Sequence, residues 1–201
     1  MNKITKIFIL TLALLSIISF SVHAATYTVV KGDSLWKIAV KYKIGLSEIK
    51  QANPEIKNYD LIYPGQKINI PSTSQLTQDK EKEVARLVNE IRAKNNLDPL
   101  TFDWQIARVA RYKSQDMSDN GYFSHTSPTY GSPFNMMKNF GISYRTAGEN
   151  IAKGYLSAAS VVDAWMNSPG HRDNILNPSF THIGVGFVES GGYWTQMFVG
   201  K

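Results

Sequence analysis

The sequence predicts an α+β chain in two units: a small strand–helix–helix–strand module, then a larger domain of helices around a small antiparallel sheet. Three observations predict this. β-rich runs at 27–30 and 67–70 bracket two short amphipathic segments. From residue 79 apolar residues recur at helical spacing. After residue 182 the period switches to two.

In the first unit, Tyr27-Thr28-Val29-Val30 reads as a strand, and Lys31-Gly32-Asp33-Ser34 as a turn whose Ser34 can cap a helix. Leu35, Ile38, Ala39 and Tyr42 form one apolar helix face. Gly45 breaks that helix, and Ser47 is expected to cap a second, which carries Ile49 and Ala52 and ends at Asn53-Pro54. Tyr63-Pro64-Gly65-Gln66 suits a type II turn before the closing strand Lys67–Ile70. Residues 72–78 are polar and uncharged and read as a linker that holds the units near each other without rigid docking. Helices are then expected around Val84–Ile91, Trp104–Met117, Phe134–Phe140 and Val161–Trp165, the last ended by Pro169-Gly170. A strand is expected near 145–152. Ile183, Val185 and Phe187 alternate with His182, Gly184 and Gly186 in another, and Ser190-Gly191-Gly192 turns the chain into a last strand from Tyr193 to Val199.

Composition narrows the function. Lys3 and Lys6 precede an uncharged apolar stretch from Ile7 to Val22, and Val22-His23-Ala24 resembles a cleavage site, so residues 1–24 read as a secretory signal. No later segment is apolar enough to span a membrane. The formal net charge of +6 is spread without a basic run or stripe, which argues against nucleic acid. With no cysteine, the core alone stabilises an exported chain, and thiol chemistry is excluded.

Residues 25–71 resemble a LysM domain through Tyr27–Leu35, Ile38-Ala39, Ala52-Asn53-Pro54 and Pro64–Pro71. The resemblance implies binding of an N-acetylglucosamine glycan, peptidoglycan or chitin-like, in a groove between two loops. Carried over, the groove residues are Gly32, Asp33, Ser34 and Leu35 facing Asn53, Pro54, Ile62 and Tyr63. Residues 79–201 resemble the bacterial, cysteine-free branch of the CAP superfamily of cysteine-rich secretory proteins, antigen 5 and plant pathogenesis-related proteins. The motifs are Phe123-Ser124-His125, Ala147–Ala152, Ala164-Trp165-Met166, Gly170-His171 and Gly184-Val185-Gly186. This implies an α-β-α sandwich with a surface cleft.

In the family that cleft holds two histidines and two acids. His125, Glu149 and His171 match three of them, and Ser168 stands where the second acid would be. Neither Asp163 nor Asp173 occupies that position. The trio leaves three readings open: a satisfied cluster fixing the cleft walls, a Zn²⁺ site on His125 and His171 with an open water position, or general-base catalysis with Glu149 orienting a histidine. His182 is expected to be a half-exposed strand residue with open surface left beside it by Gly184 and Gly186. Met136-Met137, Tyr122-Phe123 and Tyr193-Trp194 read as core or sheet-facing residues. The expected protein is secreted and wall-associated: LysM holds glycan and CAP presents a cleft of unassigned ligand. A wall hydrolase using the CAP cleft, with or without zinc, and a spore-envelope structural protein are the alternatives.

Overall fold

The computed structural model describes residues 25–71 and 74–201; the expected signal at 1–24 and Ser72 and Thr73 of the connecting segment lie outside the described residues. Strand β1 (Ala25–Thr28), helices α1 (Leu35–Tyr42) and α2 (Leu46–Ala52) and strand β2 (Lys67–Ile70) follow the expected order. β1 and β2 pair antiparallel, with Thr26 opposite Asn69. Leu35, Ile38, Ile49, Ile68 and Ile70 fill the space between sheet and helices. Ser34 caps α1, its Oγ accepting from the Lys37 amide at 3.2 Å. The third residue of the predicted type II turn, Gly65, has φ +88°, as that turn requires. One cap differs from expectation: Gly45, not Ser47, is the N-cap of α2, and Ser47 lies inside the helix.

The second unit comprises α3 (Gln75–Lys94), β3 (Thr101–Phe102), α4 (Trp104–Asp119), α5 (Pro133–Asn139), β4 (Thr146–Ala152), α6 (Ala158–Met166), α7 (Pro169–Ile175), β5 (His182–Val188) and β6 (Tyr193–Gly200). Helix α3 begins inside the expected linker, capped by Ser74 Oγ on the Thr77 amide. Helix α7 was not expected. Pro169 is its first residue, where a missing N–H is harmless, rather than the stop of α6. The sheet order is β3-β5-β6-β4, antiparallel except for β3 on β5.

Alternation along β6 divides the interior. Trp194 and Phe198 face Val88 of α3, Trp165 of α6 and Ile175 of α7. Met197 and Val199 face Ile106, Val109 and Ala110 of α4 and Met136 and Met137 of α5. Helices therefore cover both faces of the sheet. Gly184 and Gly186 do not leave open surface beside His182, because α4 lies on them. A Cβ on Gly184 would stand 2.2 Å from the Ala107 nitrogen. Phe123 also departs from expectation, at 49% exposure. Among the described residues no helix is long and apolar enough to cross a membrane.

The two units touch. Arg108 of α4 donates from Nε to Glu48 Oε1 at 2.5 Å and from Nη2 to Glu48 Oε2 at 2.9 Å, across the boundary expected to be undocked.

Candidate functional site

His125 lies in the loop after α4, and one acidic residue organises that loop. Asp116 accepts from Ser127 Oγ at 2.6 Å, Thr129 Oγ1 at 2.6 Å, Tyr122 Oη at 2.5 Å and Asn120 Nδ2 at 2.8 Å. Burial opposes ionisation of Asp116, yet these four donors hold its carboxyl below the usual range. The backbone around His125 is thereby fixed while its imidazole stays accessible, with a side-chain exposure of 54%.

Glu149 projects from β4 toward this loop. Its Oε1 meets His125 Nδ1 at 2.7 Å, and its side chain is only 2% exposed. Oε2 is buried without a hydrogen-bond partner. Burial pushes the Glu149 carboxyl above its usual pKa, and the His125 bond and the nearby Lys113 charge do not offset that. When Glu149 is ionised, Nδ1 of His125 carries the proton and Nε2 presents a lone pair to the cleft. That arrangement can act as a general base toward a bound water or hydroxyl.

Sequence reasoning missed Lys113. It is fully buried on α4, and its Nζ donates to the His125 carbonyl. Burial lowers its pKa against the charges of Glu149 and Asp116. A lysine in the middle of an amphipathic helix carries no motif that would single it out.

His171, the third residue of α7, is half-buried. Burial first, and the charge of His125 second, depress its pKa, so the two imidazoles share one electrostatic environment. Asn150 and Asn174 tie α7 to β4. Asn150 Nδ2 donates to the His171 carbonyl at 3.0 Å and to Gln196 Oε1 at 2.9 Å, and Asn174 Nδ2 to Asn150 Oδ1 at 2.9 Å. Asn150 stood in the quoted motif, but nothing in its spacing indicated that role. Asp163 and Asp173 are exposed.

Among the described residues no group of three or more His, Cys, Asp or Glu is placed to hold a metal ion. His125 Nδ1 and Glu149 Oε1 hold each other, which leaves His125 Nε2 as the nitrogen a metal would take. His182 lies apart, with Nδ1 on Thr181 Oγ1 at 2.8 Å; burial, then Lys201, lowers its pKa.

The expected glycan groove divides in two. Gly32, Ser34, Pro54 and Tyr63 are exposed, and Asp33 and Ile62 half-buried. Gly32 sits at φ +93°, a conformation side chains disfavour. Leu35, however, is core. Asn53 is fully buried, donating to the carbonyls of Ile49 at 2.7 Å and Asn69 at 2.8 Å and accepting from the Asn69 amide at 2.7 Å. Its side chain fastens α2 to β2 and is not free for a ligand. Asp33 likewise accepts from Tyr27 Oη at 2.8 Å and the Val30 amide at 2.9 Å. Backbone bonds between Val29 and both Gln66 and Gly65 hold the two loops side by side.

Comparison with known proteins agrees with both halves. The LysM domain model matches residues 27–71 and the cysteine-rich secretory protein family model (CAP) matches 85–200. The uncharacterized protein YkwD of Bacillus subtilis (strain 168) is 65% identical over 121 residues, which are 60% of this chain and 47% of that protein. The spore coat assembly protein ExsA of Bacillus cereus is 50% identical over 48 residues, 24% of this chain and 8% of that one. The chain thus spans less than half of either relative. A crystal structure of an extracellular protein containing a SCP domain from Bacillus anthracis str. Ames superposes with a TM-score of 0.61 at 36% identity, over 69% of this chain and 47% of that one. A βααβ module ahead of helices on both faces of a four-stranded sheet matches these comparisons: the chain belongs to the cysteine-rich secretory protein (CAP) family and carries a LysM domain ahead of its CAP domain.

Proposed function

We propose that this is an exported, wall-associated protein whose LysM module binds the N-acetylglucosamine glycan of peptidoglycan and presents the CAP cleft at the wall. The supporting observation is the pair of adjacent loops carrying Gly32, Ser34, Pro54 and Tyr63. Val30, Trp36, Leu61 and Tyr63 add exposed apolar surface to the module, at 51–63%. Such a site pairs loop amides and hydroxyls with an apolar shelf, which suits an acetamido sugar. Purified peptidoglycan sacculi are expected to retain the full chain and not a chain lacking residues 25–71. In the full chain, Tyr63→Ala loses an aromatic contact of about 1.5 kcal/mol, weakening retention about tenfold. Undiminished retention without residues 25–71 would overturn the reading.

The His125–Glu149 pair favours a second reading, in which the CAP cleft hydrolyses a wall bond with His125 as base. A carboxyl whose folded pKa lies above its unfolded one costs stability once ionised, and the cost grows as pH rises from the unfolded value to the raised one. Glu149→Gln is therefore expected to stabilise the protein at neutral pH by about 1 kcal/mol, as relaxing a functional site commonly does. The gain should shrink toward the ordinary carboxyl range. Thermal melts across pH check this, and a lower Tm at neutral pH would make Glu149 a structural group. Release of soluble fragments from sacculi, lost in the same variant, would place hydrolysis first. The LysM likeness to a spore coat assembly protein supports a spore envelope as the wall in question.

A further inference from the structure

The contact between the modules is built around one residue, Arg108. Its guanidinium grips both oxygens of Glu48 and donates from Nη2 to Ser47 Oγ at 2.8 Å. The side chains of the pair are 19% and 23% exposed, so the bond is neither a free surface pair nor a fully desolvated one. On the CAP side the guanidinium carbon lies 5.4 Å from the Tyr112 ring centre and 5.2 Å from that of Phe140. Those rings meet edge-on at 5.2 Å and form a wall that holds the arginine in place before LysM arrives. Exposed ion pairs contribute little, but a bidentate, aromatic-backed arginine loses less freedom on binding.

Gly45 supplies an independent observation. Glycine is among the residues that helix N-caps favour, and packing adds a second reason for it: a Cβ on Gly45 would lie 2.1 Å from the Arg108 guanidinium. The N-terminal end of α2 is shaped to receive that side chain. Beside it the modules leave a cleft of about 240 Å³ between Tyr42, Ile44 and Pro71 on one side and Lys82, Phe102 and Trp104 on the other. The seam is not a packed apolar core there, and Tyr112 joins Arg108 in meeting Ser47 and Glu48 across it.

We propose that Arg108, seated on Tyr112 and Phe140, clamps the Gly45–Glu48 end of α2 and makes the LysM and CAP domains one rigid body. The clamp occupies the end of α2 opposite Asn53 and Pro54, about 10 Å away at 1.5 Å per residue. The glycan loops stay open, and glycan held there fixes the orientation of the CAP cleft at the wall. That consequence rests on the LysM reading above; the clamp itself does not.

Amide ¹⁵N relaxation on the full chain, without glycan, tests it. The wild type should show one correlation time for residues 27–71 and 85–200. Arg108→Glu should give LysM amides their own shorter time, and Glu48→Arg combined with Arg108→Glu should restore the shared one. Should Arg108→Glu disturb the CAP core, Glu48→Arg alone, on the LysM side, leaves that domain untouched and must also release LysM. Independent tumbling in the wild type, or shared tumbling in both single variants, overturns the clamp. Sacculus binding is a separate readout, so the clamp and the glycan reading fail separately.

Discussion

Gly186→Ala is expected to destabilise the CAP domain severely, although it adds one methyl group. The new Cβ would stand 2.1 Å from the Arg111 nitrogen and 2.2 Å from the Ala110 carbonyl carbon. Both are backbone atoms of α4, so no side-chain rotation relieves the clash. Helix α4 must lift from β5, which opens the layer filled by Ile106, Val109 and Ala110, all fully buried. The cost should reach at least about 3 kcal/mol, the upper range for overpacking. For a domain of this size that lowers Tm by roughly 10 °C. Gly170→Ala is the control: it lies in α7, where a Cβ would meet nothing within 4 Å. It should be neutral or slightly stabilising. Equal melting of both variants and the wild type would refute this account of the glycine strand. The displaced helix also carries Lys113, so the His125 loop should lose its support in Gly186→Ala.

Arg111→Met is expected to cost about 3–5 kcal/mol, because it leaves a buried carboxylate without its counter-ion. Glu81 of α3 is completely buried. Arg111 reaches it from α4 with Nε at 2.8 Å and Nη2 at 2.7 Å, and the Phe187 amide of β5 donates at 3.2 Å. Even so paired, burial raises the Glu81 pKa, and the Arg111 bond and charge only partly oppose it. Removing Arg111 raises it further. The ionised form then penalises the folded state over a wider pH window, beginning near the ordinary carboxyl value and fully present above the raised one. The difference between variant and wild type should be larger at neutral pH than in mild acid, where Glu81 takes up a proton. Urea unfolding at both pH values checks the sign. A deficit that grows in acid would mean that Glu81 is not the group responsible.

Much of the fold was legible because periodicity reports which face of an element is buried. Val84 and Val88, Ala107 and Ala110, and Ile183, Val185 and Phe187 all point inward as their spacing implied. The misreadings lay at element ends. Pro169-Gly170 read as a stop and opens α7; Ser47 read as a cap and lies within α2; the polar run before residue 79 continues α3 back to Gln75. Proline, serine and short polar runs serve both ends of a helix, and local chemistry does not say which. The two-residue strand β3 exists only by pairing with His182 and Ile183, and no local pattern announces it.

The site divides along the same line. By itself the sequence determined the two modules and the helical and strand faces, and its resemblance to the family proposed His125, Glu149 and His171 as one cleft. Only the tertiary structure decided that His125 and Glu149 touch, and that the buried Lys113 braces the loop between them. It also made Leu35 and Asn53 part of the LysM interior, and Gly184 and Gly186 a bed for α4. Arg108 became a bridge between modules 60 residues apart along the chain. The reason is physical: burial on one face is written in residues three or four apart, whereas a contact between distant residues depends on how whole elements pack.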